Sequence, residues 1–256
     1  MVIDVKKEGK VAIITINRPE ALNAISLAVA RELSDAIITF RDDPDVWVGI
    51  ITGAGERAFC AGADIRETLP FIAEHKTDPW AFPPSVWRGL ELWKPLIAAI
   101  NGVALGGGLE IAMACDIRIA AENARLGTPE VTLGVIPGFG ATQRLPRAIP
   151  WCKAAEMMLM GKPIDAQEAY RIGLVNKVVP AADLMKTAKE WADTICAAGP
   201  LAVRAVKEAM YRGADTTLDE GLRLEQALMA RVMSTEDFIE GTTAFVEKRK
   251  PQYKGK

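Results

Sequence analysis

The chain has 256 residues, of which 50% are hydrophobic and 25% charged, and its formal net charge is −2. This is the balance of a soluble globular protein that can bury a substantial core, either as one large domain or as one domain with a smaller appendage. The slight negative charge argues against general nucleic-acid binding, including DNA binding. No apolar run is long enough to cross a membrane, because Asn101-Gly102 and the glycines 106–108 interrupt the best candidate.

The N-terminus reads Met-Val-Ile-Asp-Val-Lys-Lys and lacks the apolar core of a signal peptide, so a cytoplasmic location is predicted. The four cysteines are widely spaced and lie mostly in apolar stretches, which predicts buried thiols rather than a disulfide framework or a metal site. They are Cys60, Cys115, Cys152 and Cys196.

The first half of the chain alternates predicted strands and helices. A β-branched run at 11–17 predicts a strand paired with 2–6, and Ser26 is suited to cap the helix that follows and ends near Pro44. Further apolar runs predict strands at 46–52, 96–100 and 117–120. This order predicts an α/β core of parallel strands covered by helices, whereas the chain after Trp151 is mostly helical.

The most informative stretch is the glycine run 106–108, between a predicted buried strand and a helix predicted at 109–115. The first N–H groups of a helix have no internal partner and lie at the positive end of its dipole, so they suit an anion or a developing negative charge. Glu110 falls in the first turn. Its position is compatible with an ordinary helix-start residue or with a catalytic group.

Two other segments have related features. Ala61-Gly62-Ala63 precedes a predicted helix and offers a second place where an N–H could face a ligand, or else a tight connection that needs small residues. Glu130 stands just before a second glycine-rich turn, at 134–140.

Several mechanisms lack the residues that they need. The chain has one histidine, His75, and no Gly-x-Ser-x-Gly, which argues against a Ser-His-Asp hydrolase. No Walker motif, complete Gly-x-Gly-x-x-Gly or His-Cys cluster occurs. Two carboxylates, Glu110 and Glu130, and candidate N–H donors remain. They suit chemistry in which a carbonyl becomes an enolate while carboxylates move protons at neighbouring carbons.

Several motifs, in order and spread over nearly the whole chain, together resemble the enoyl-CoA hydratase/isomerase (crotonase) family. They are Asn17-Arg18-Pro19 with Leu22-Asn23-Ala24, AGADIR at 61–66, NGVALGGGLE at 101–110, Pro129-Glu130, IPGFGATQRL at 136–145 and FVEKR at 245–249. The resemblance implies a spiral of ββα units in residues 1–195. It also implies a helical C-terminal region, 196–256, that builds trimers, often paired into hexamers, and contributes to the coenzyme A site.

The resemblance also implies roles for individual residues. The N–H groups of Ala63 and Gly107 would form the oxyanion hole for a thioester carbonyl. Glu110 would act as general base on water, Glu130 would protonate Cα, and the N–H of Gly138 would help to place the water. No metal or prosthetic group is implied, because coenzyme A belongs to the acyl-CoA substrate. The implied coenzyme A contacts are Arg18, Leu22, Ala24, Ala61, Ala63, Asp64, Ile65, Arg66, Gly107, Phe245 and Lys248.

Some points stay open at this stage. The presence of both Glu110 and Glu130 favours a hydratase, because isomerases of the family commonly keep only the second carboxylate. The alternatives are an isomerase, a specialised dehydratase for a cyclic or carnitinyl-type acyl group, or a non-catalytic RNA-binding protein. Family members often have Lys at the position of Arg66. They also often have Gly-Ala-Gly-Gly where this chain has Gly138-Phe139-Gly140-Ala141, so Phe139 either reshapes the acyl pocket or has only a packing role. Trp80, Phe82 and Trp87 favour a cyclic, branched or quaternary ammonium acyl group, or else serve packing.

The basic residues at 248–256 are a further open point. They either reach the phosphates of coenzyme A or form a solvated, frayed tail.

Overall fold

A computed structural model of the protein describes residues 1–75, 78, 82–85 and 87–256. The strands are β1 (Ile3–Glu8), β2 (Val11–Ile16), β3 (Val48–Gly53), β4 (Ala58–Cys60), β5 (Leu96–Ile100), β6 (Val103–Leu105), β7 (Ile117–Ala121), β8 (Arg125–Gly127), β9 (Ile164–Asp165) and β10 (Lys177–Val179). The helices are α1 (Leu27–Asp42), α2 (Thr68–Glu74), α3 (Gly107–Ala114), α4 (Ala141–Ala148), α5 (Trp151–Met160), α6 (Ala166–Arg171), α7 (Leu184–Cys196), α8 (Pro200–Gly213), α9 (Leu218–Met233) and α10 (Glu236–Val246).

The strands form two sheets. The six-stranded sheet has the order β1-β2-β3-β5-β7-β10, and all its pairs are parallel except the β1–β2 hairpin. The four-stranded sheet has the order β4-β6-β8-β9. Consecutive strands β3 and β4, β5 and β6, and β7 and β8 therefore alternate between the two sheets, and a helical segment follows each pair. The second strands of these repeated units, β4, β6 and β8, are therefore neighbours in the smaller sheet.

The six-stranded sheet is covered on both faces, and the alternation in β2 explains how. Ile14 and Ile16 pack in the cluster that includes the buried face of α1, whereas Val11 and Ile13 pack in the cluster that includes α7. Ser26 caps α1 by accepting a hydrogen bond from the N–H of Val29 at 3.2 Å, as predicted. The central strand β5 is buried along its whole length, which its uninterrupted apolar sequence indicated.

Some predicted details were wrong. The helix expected directly after Ala63 begins at Thr68, because the backbone first turns at Asp64, whose carbonyl accepts from the N–H of Thr68 at 2.8 Å. The three-residue strands of the smaller sheet were not predicted, since they are too short to show an alternating pattern. Cys152 is exposed rather than buried, whereas Cys60 and Cys115 are buried thiols.

The C-terminal basic segment is folded against α10. The carboxylate of Asp237 accepts from the N–H groups of Lys254 and Gly255 at 2.7 and 2.9 Å, and Glu240 accepts from the N–H of Gln252 at 2.7 Å. The alternative of a frayed tail therefore does not hold. Among the helices of the described residues, none is both long and apolar enough to span a bilayer.

Candidate active site

Glu110 is held in the first turn of α3, where the smaller sheet meets the helix. Strand β6 ends beside Gly106, whose φ of 52° turns the chain so that α3 begins at Gly107. Glu110 is only 1% exposed, and its Oε1 accepts from the N–H groups of Phe139 and Ala141, both at 2.8 Å. The carboxylate is therefore fixed through one oxygen. Its Oε2 accepts no hydrogen bond from the described residues.

The surroundings of Glu110 raise the pKa of its carboxyl group towards neutral pH. Burial raises the pKa of Glu110 to about 7, with a smaller contribution from the like charge of Glu130. The two backbone N–H groups and the positive charge of Arg144 oppose that rise. A carboxyl with this pKa exchanges protons readily at neutral pH, as a general base or acid must.

Glu130 reaches the same place from a different element, a short 3-10 helix at Pro129–Leu133. Its Oε1 lies 2.8 Å from the position that a Cβ on Gly106 would take, so a side chain at position 106 would collide with this carboxylate. Glu130 Oε2 is buried without a hydrogen-bond partner among the described residues. Burial raises the pKa of Glu130, which favours its protonated form.

Two backbone N–H groups beside the carboxylates are available to a ligand. Those of Ala63 and Gly107 donate no hydrogen bond to a described residue. The two segments are close, because a Cβ built on Gly62 would lie 3.5 Å from the nitrogen of Gly107. The N–H of Gly138 is likewise unengaged by the described residues, one position before the Phe139 N–H that binds Glu110.

The two predicted N-terminal parts of the coenzyme A site form one hydrogen-bonded unit. The Arg18 guanidinium pairs with Asp64 at 3.3 Å and donates to the carbonyl of Ala24 at 2.9 Å. The N–H of Ala61 donates to the carbonyl of Leu22 at 3.0 Å. These segments thereby lie next to Ala63, and the role of their residues in binding coenzyme A stays a prediction.

The remaining predicted contacts lie on the surface. Ile65 is 60% exposed, and Arg66 is exposed on the turn after Asp64. Phe245 is 86% exposed at the end of α10, and Lys248 follows in a left-handed conformation with φ 57°. No hydrogen bond or ion pair between described residues joins Phe245 or Lys248 to the unit around Arg18 and Asp64. The structure of one chain thus does not bring these two residues to the rest of the predicted site.

Aromatic side chains lie next to the carboxylates. Phe139 stacks on Trp87 with ring centroids 5.1 Å apart and contacts Phe82 edge-on at 5.5 Å, and Phe82 contacts Phe71 in the same way at 5.4 Å. We call Phe82, Trp87 and Phe139 the aromatic wall. The ring of Phe139 lies 3.2 Å from the position of a Cβ on Gly107. Trp80, which the sequence also indicated, lies outside the described residues.

Sequence reasoning did not identify the groups that orient Glu110. The N–H groups of Phe139 and Ala141 are backbone donors about thirty residues away, and no side-chain pattern indicates them. Arg144 was also missed as a site residue, although it stands in the glycine-turn motif that was singled out. Within the described ranges, no group of three or more His, Cys, Asp or Glu is arranged to hold a metal ion.

Two neighbouring carboxylates, Glu110 and Glu130, beside unengaged backbone N–H groups form an arrangement suited to proton transfer next to a developing oxyanion. The model of a protein family described as enoyl-CoA hydratase/isomerase matches residues 6–256 of this chain. The chain belongs to that family.

Similar proteins agree with this assignment. The short-chain-enoyl-CoA hydratase of Clostridium acetobutylicum is 49% identical over 246 residues, covering 96% of this chain and 94% of the relative. The crotonyl-CoA hydratase of Syntrophomonas wolfei is 45% identical over 252 residues, covering 98% and 97%. The crystal structure of an enoyl-CoA hydratase from Bacillus anthracis has a TM-score of 0.91 and 43% identity, with all of both chains covered. The predicted crotonase-like α/β fold and the predicted family are confirmed.

Proposed function

We propose that the protein is a hydratase that adds water reversibly across the double bond of a 2-enoyl-CoA to give the 3-hydroxyacyl-CoA. The observation that supports this most strongly is the pairing of Glu110, oriented through one oxygen by two N–H groups, with Glu130, whose Oε2 is buried. The names of two similar proteins, short-chain-enoyl-CoA hydratase and crotonyl-CoA hydratase, agree with the reaction.

In the proposed reaction, Glu110 accepts a proton from water as the water oxygen attacks Cβ. The electrons of the double bond move towards the thioester carbonyl, whose oxygen gains negative charge and is bound by the N–H groups of Ala63 and Gly107. Glu130 then gives its proton to Cα. The product has gained H and OH, and a proton must return from Glu110 to Glu130 before the next turnover. The N–H of Gly138 holds the water or the product hydroxyl.

Burial raises the pKa of both carboxyl groups, so both can exchange protons near neutral pH. The attacking water needs a base that is ionised near neutral pH, and the pKa of Glu110, raised by burial to about 7, meets that need. Glu130 must hold a proton, and its buried Oε2 without a described partner disfavours the charged form. Because the charges interact, the two carboxyl groups titrate as a coupled pair.

We propose that the substrate is a short-chain acyl-CoA. The name of a similar protein, the short-chain-enoyl-CoA hydratase of Clostridium acetobutylicum, supports this, and the aromatic wall lies beside Gly107, where an acyl chain leaving the oxyanion hole would pass. Coenzyme A would bind along the unit of Arg18, Leu22, Ala24 and 61–66, with Arg66 near the pyrophosphate. It enters as part of the substrate, and the proposal includes no prosthetic group.

We also propose a homotrimer, or a hexamer of two trimers, in which the helical region 196–256 mediates assembly around the 1–195 core. Large apolar side chains are exposed on the C-terminal helices, which supports burial against another copy. They include Leu218, Leu222, Ile239, Phe245 and Val246. Phe245 and Lys248 would then serve the coenzyme A site of a neighbouring copy. Light scattering of the purified protein measures the mass, and a monomer would contradict the assembly. The cytoplasmic location stays a prediction.

Mass spectrometry of thioester products tests the function. Short linear, long linear, cyclic and trimethylammonium-bearing enoyl-CoA thioesters would be incubated with the wild type, with Glu130→Gln and with Glu122→Gln, a control at an exposed carboxylate. We expect the short linear thioester to gain one water most rapidly with the wild type and the control, and Glu130→Gln to abolish the gain. Double-bond migration without water gain would identify an isomerase. RNA binding without turnover of any thioester would favour the non-catalytic alternative.

A further inference from the structure

The guanidinium of Arg144 links two parts of the site that are far apart in the sequence. Arg144 lies on α4, and its side chain reaches back to the turn that precedes the helix. Its Nη1 donates to the carbonyl of Phe139 at 3.1 Å, and its Nη2 donates to the carbonyl of Trp87 at 2.9 Å. The fork of one guanidinium therefore binds the backbone of both stacked residues of the aromatic wall.

The turn is shaped to admit this side chain. Gly140 has a φ of 116°, in the region that favours glycine, and a Cβ at that position would lie 2.0 Å from Arg144 Nη1. Any other residue at position 140 would displace the guanidinium as well as strain the backbone. The glycine before α4 thus provides the space for Arg144 to reach the wall.

Phe139 is fixed on both sides of its α-carbon. Its N–H donates to Glu110 Oε1 at 2.8 Å, while its carbonyl accepts from Arg144 at 3.1 Å. Its ring stacks on Trp87 at an interplanar angle of 24°. A displacement of the Phe139 backbone would therefore move both the ring and the N–H that orients Glu110.

The charge of Arg144 acts on the same carboxylate. Both guanidinium hydrogen bonds go to neutral carbonyls, and the titratable groups that face Arg144 are Glu110, Tyr211 and Cys115. Glu110 in turn faces Glu130 and the two N–H groups already described. The positive charge of Arg144 lowers the pKa of Glu110 against the opposing effect of burial.

We propose that Arg144 is a positioning residue that holds the aromatic wall and directs the Phe139 N–H at Glu110, so that acyl-chain fit and base orientation depend on one guanidinium. This inference rests on the proposed hydratase function. It follows that an acyl chain long enough to displace Phe139 lowers kcat as well as raising KM, because the displacement disturbs the base.

Three variants test the role. Arg144→Met removes both the fork and the charge, Arg144→Lys keeps the charge but loses the fork, and Arg147→Met is a matched control at an exposed arginine of the same helix. The measurements are kcat and KM for four-carbon and eight-carbon 2-enoyl-CoA, and the pH profile of kcat/KM.

For Arg144→Met we expect kcat with the four-carbon substrate to fall by about tenfold to a hundredfold, because misplaced catalytic groups carry costs of that size. The acid limb of its pH profile should move to higher pH, since loss of the positive charge raises the pKa of Glu110. Its preference for four over eight carbons should fall by about fivefold or more. Arg144→Lys should lose the preference but keep the acid limb of the wild type, and Arg147→Met should match the wild type.

An Arg144→Met enzyme with the wild-type acid limb and chain-length preference would overturn the proposal, even if it were less stable. If Arg144→Met does not fold, Arg144→Lys and Phe139→Leu provide the test. Both variants should lose the preference for four over eight carbons while the acid limb of the pH profile stays at its wild-type position. Retention of the preference by both would refute the positioning role. Failure of the proposed function looks different, because the wild type itself would then hydrate none of the thioesters.

Discussion

Two buried carboxylates of this molecule bind two backbone N–H groups each, and they do so in opposite ways. Asp237, 5% exposed at the start of α10, uses one oxygen for the N–H of Lys254 and the other for the N–H of Gly255. Glu110, 1% exposed at the start of α3, receives both N–H groups on Oε1.

This difference distinguishes a carboxylate that only holds the fold together, Asp237, from one that can also take part in proton transfer, Glu110. With both oxygens engaged, Asp237 fastens the last residues of the chain to α10, and its own N–H completes the arrangement by donating to the carbonyl of Lys256 at 3.0 Å. Glu110 is held equally firmly but keeps Oε2 available, and burial brings its pKa to about 7. Fixing a carboxylate through one oxygen orients it without using up its capacity to accept a proton.

Replacing the free oxygen of Glu110 should have the largest effect. In Glu110→Gln the amide oxygen can still accept from Phe139 and Ala141, so the loop should stay in place while the base is lost. We expect kcat for hydration of a short 2-enoyl-CoA to fall by about 10²- to 10⁴-fold, the range of general acid–base catalysis. Steady-state absorbance of the enoyl thioester measures the rate.

The control for this variant is Glu122→Gln, at an exposed carboxylate just after β7, which should keep the wild-type rate. An unchanged kcat in Glu110→Gln would contradict the role of Glu110 as base. It would leave the fold and the family assignment intact.

The second prediction concerns the stability of the fold. A carboxyl group whose pKa is raised by folding lowers the free energy of unfolding at pH values where it is ionised in the unfolded chain. The pKa of Glu110 rises from 4.5 to about 7 on folding, so the folded state binds more protons in this interval and loses stability as pH rises through it. Glu110→Gln lacks this titration. The free energy of unfolding of the variant, relative to the wild type, should therefore increase by up to about 3 kcal/mol between about pH 4.5 and about pH 7.5.

Urea unfolding at fixed protein concentration measures both proteins at the two pH values. Parallel pH dependences would show that Glu110 is not the group whose ionisation costs stability. The same experiment on the Glu122→Gln control should give the wild-type dependence.

The sequence predicted those parts of the molecule that depend on local chemistry. The Ser26 cap, the apolar run of β5 and the position of Glu110 in the first turn of a helix all follow from neighbours within a few residues. The pairing of Glu110 with Glu130 did not follow from spacing and needed the family resemblance. It depends on how the 3-10 helix at Pro129–Leu133 packs beside Gly106.

What could not be predicted depends on backbone groups brought together by folding. The N–H groups that orient Glu110 belong to Phe139 and Ala141, and any residue except proline could supply them, so no side-chain pattern indicates them. The docking of the C-terminal segment was missed for the same reason, since Asp237 binds main-chain groups of Lys254 and Gly255.

The smallest predicted effect lies at Asp237. In Asp237→Asn one oxygen becomes an NH₂ group that faces a backbone N–H, so one of the two hydrogen bonds is lost and two donors oppose each other. We expect opening of the C-terminal segment to become easier by about 1–3 kcal/mol, the usual cost of losing a hydrogen bond to a buried charged group. Hydrogen exchange of the amides of Lys254 and Gly255 should speed up by about tenfold or more, since tenfold corresponds to about 1.4 kcal/mol.

Glu236→Gln is the matched control, because Glu236 is the exposed neighbour of Asp237 in the same first turn and should leave the exchange unchanged. Asp237→Asn should lower kcat far less than Glu110→Gln, because both of its oxygens bind the chain itself. Unchanged exchange at Lys254 in Asp237→Asn would mean that the segment is held by its other contacts, such as the pairing of Glu240 with Arg249 at 2.6 Å. The contrast between the two carboxylates would then apply only at the active site.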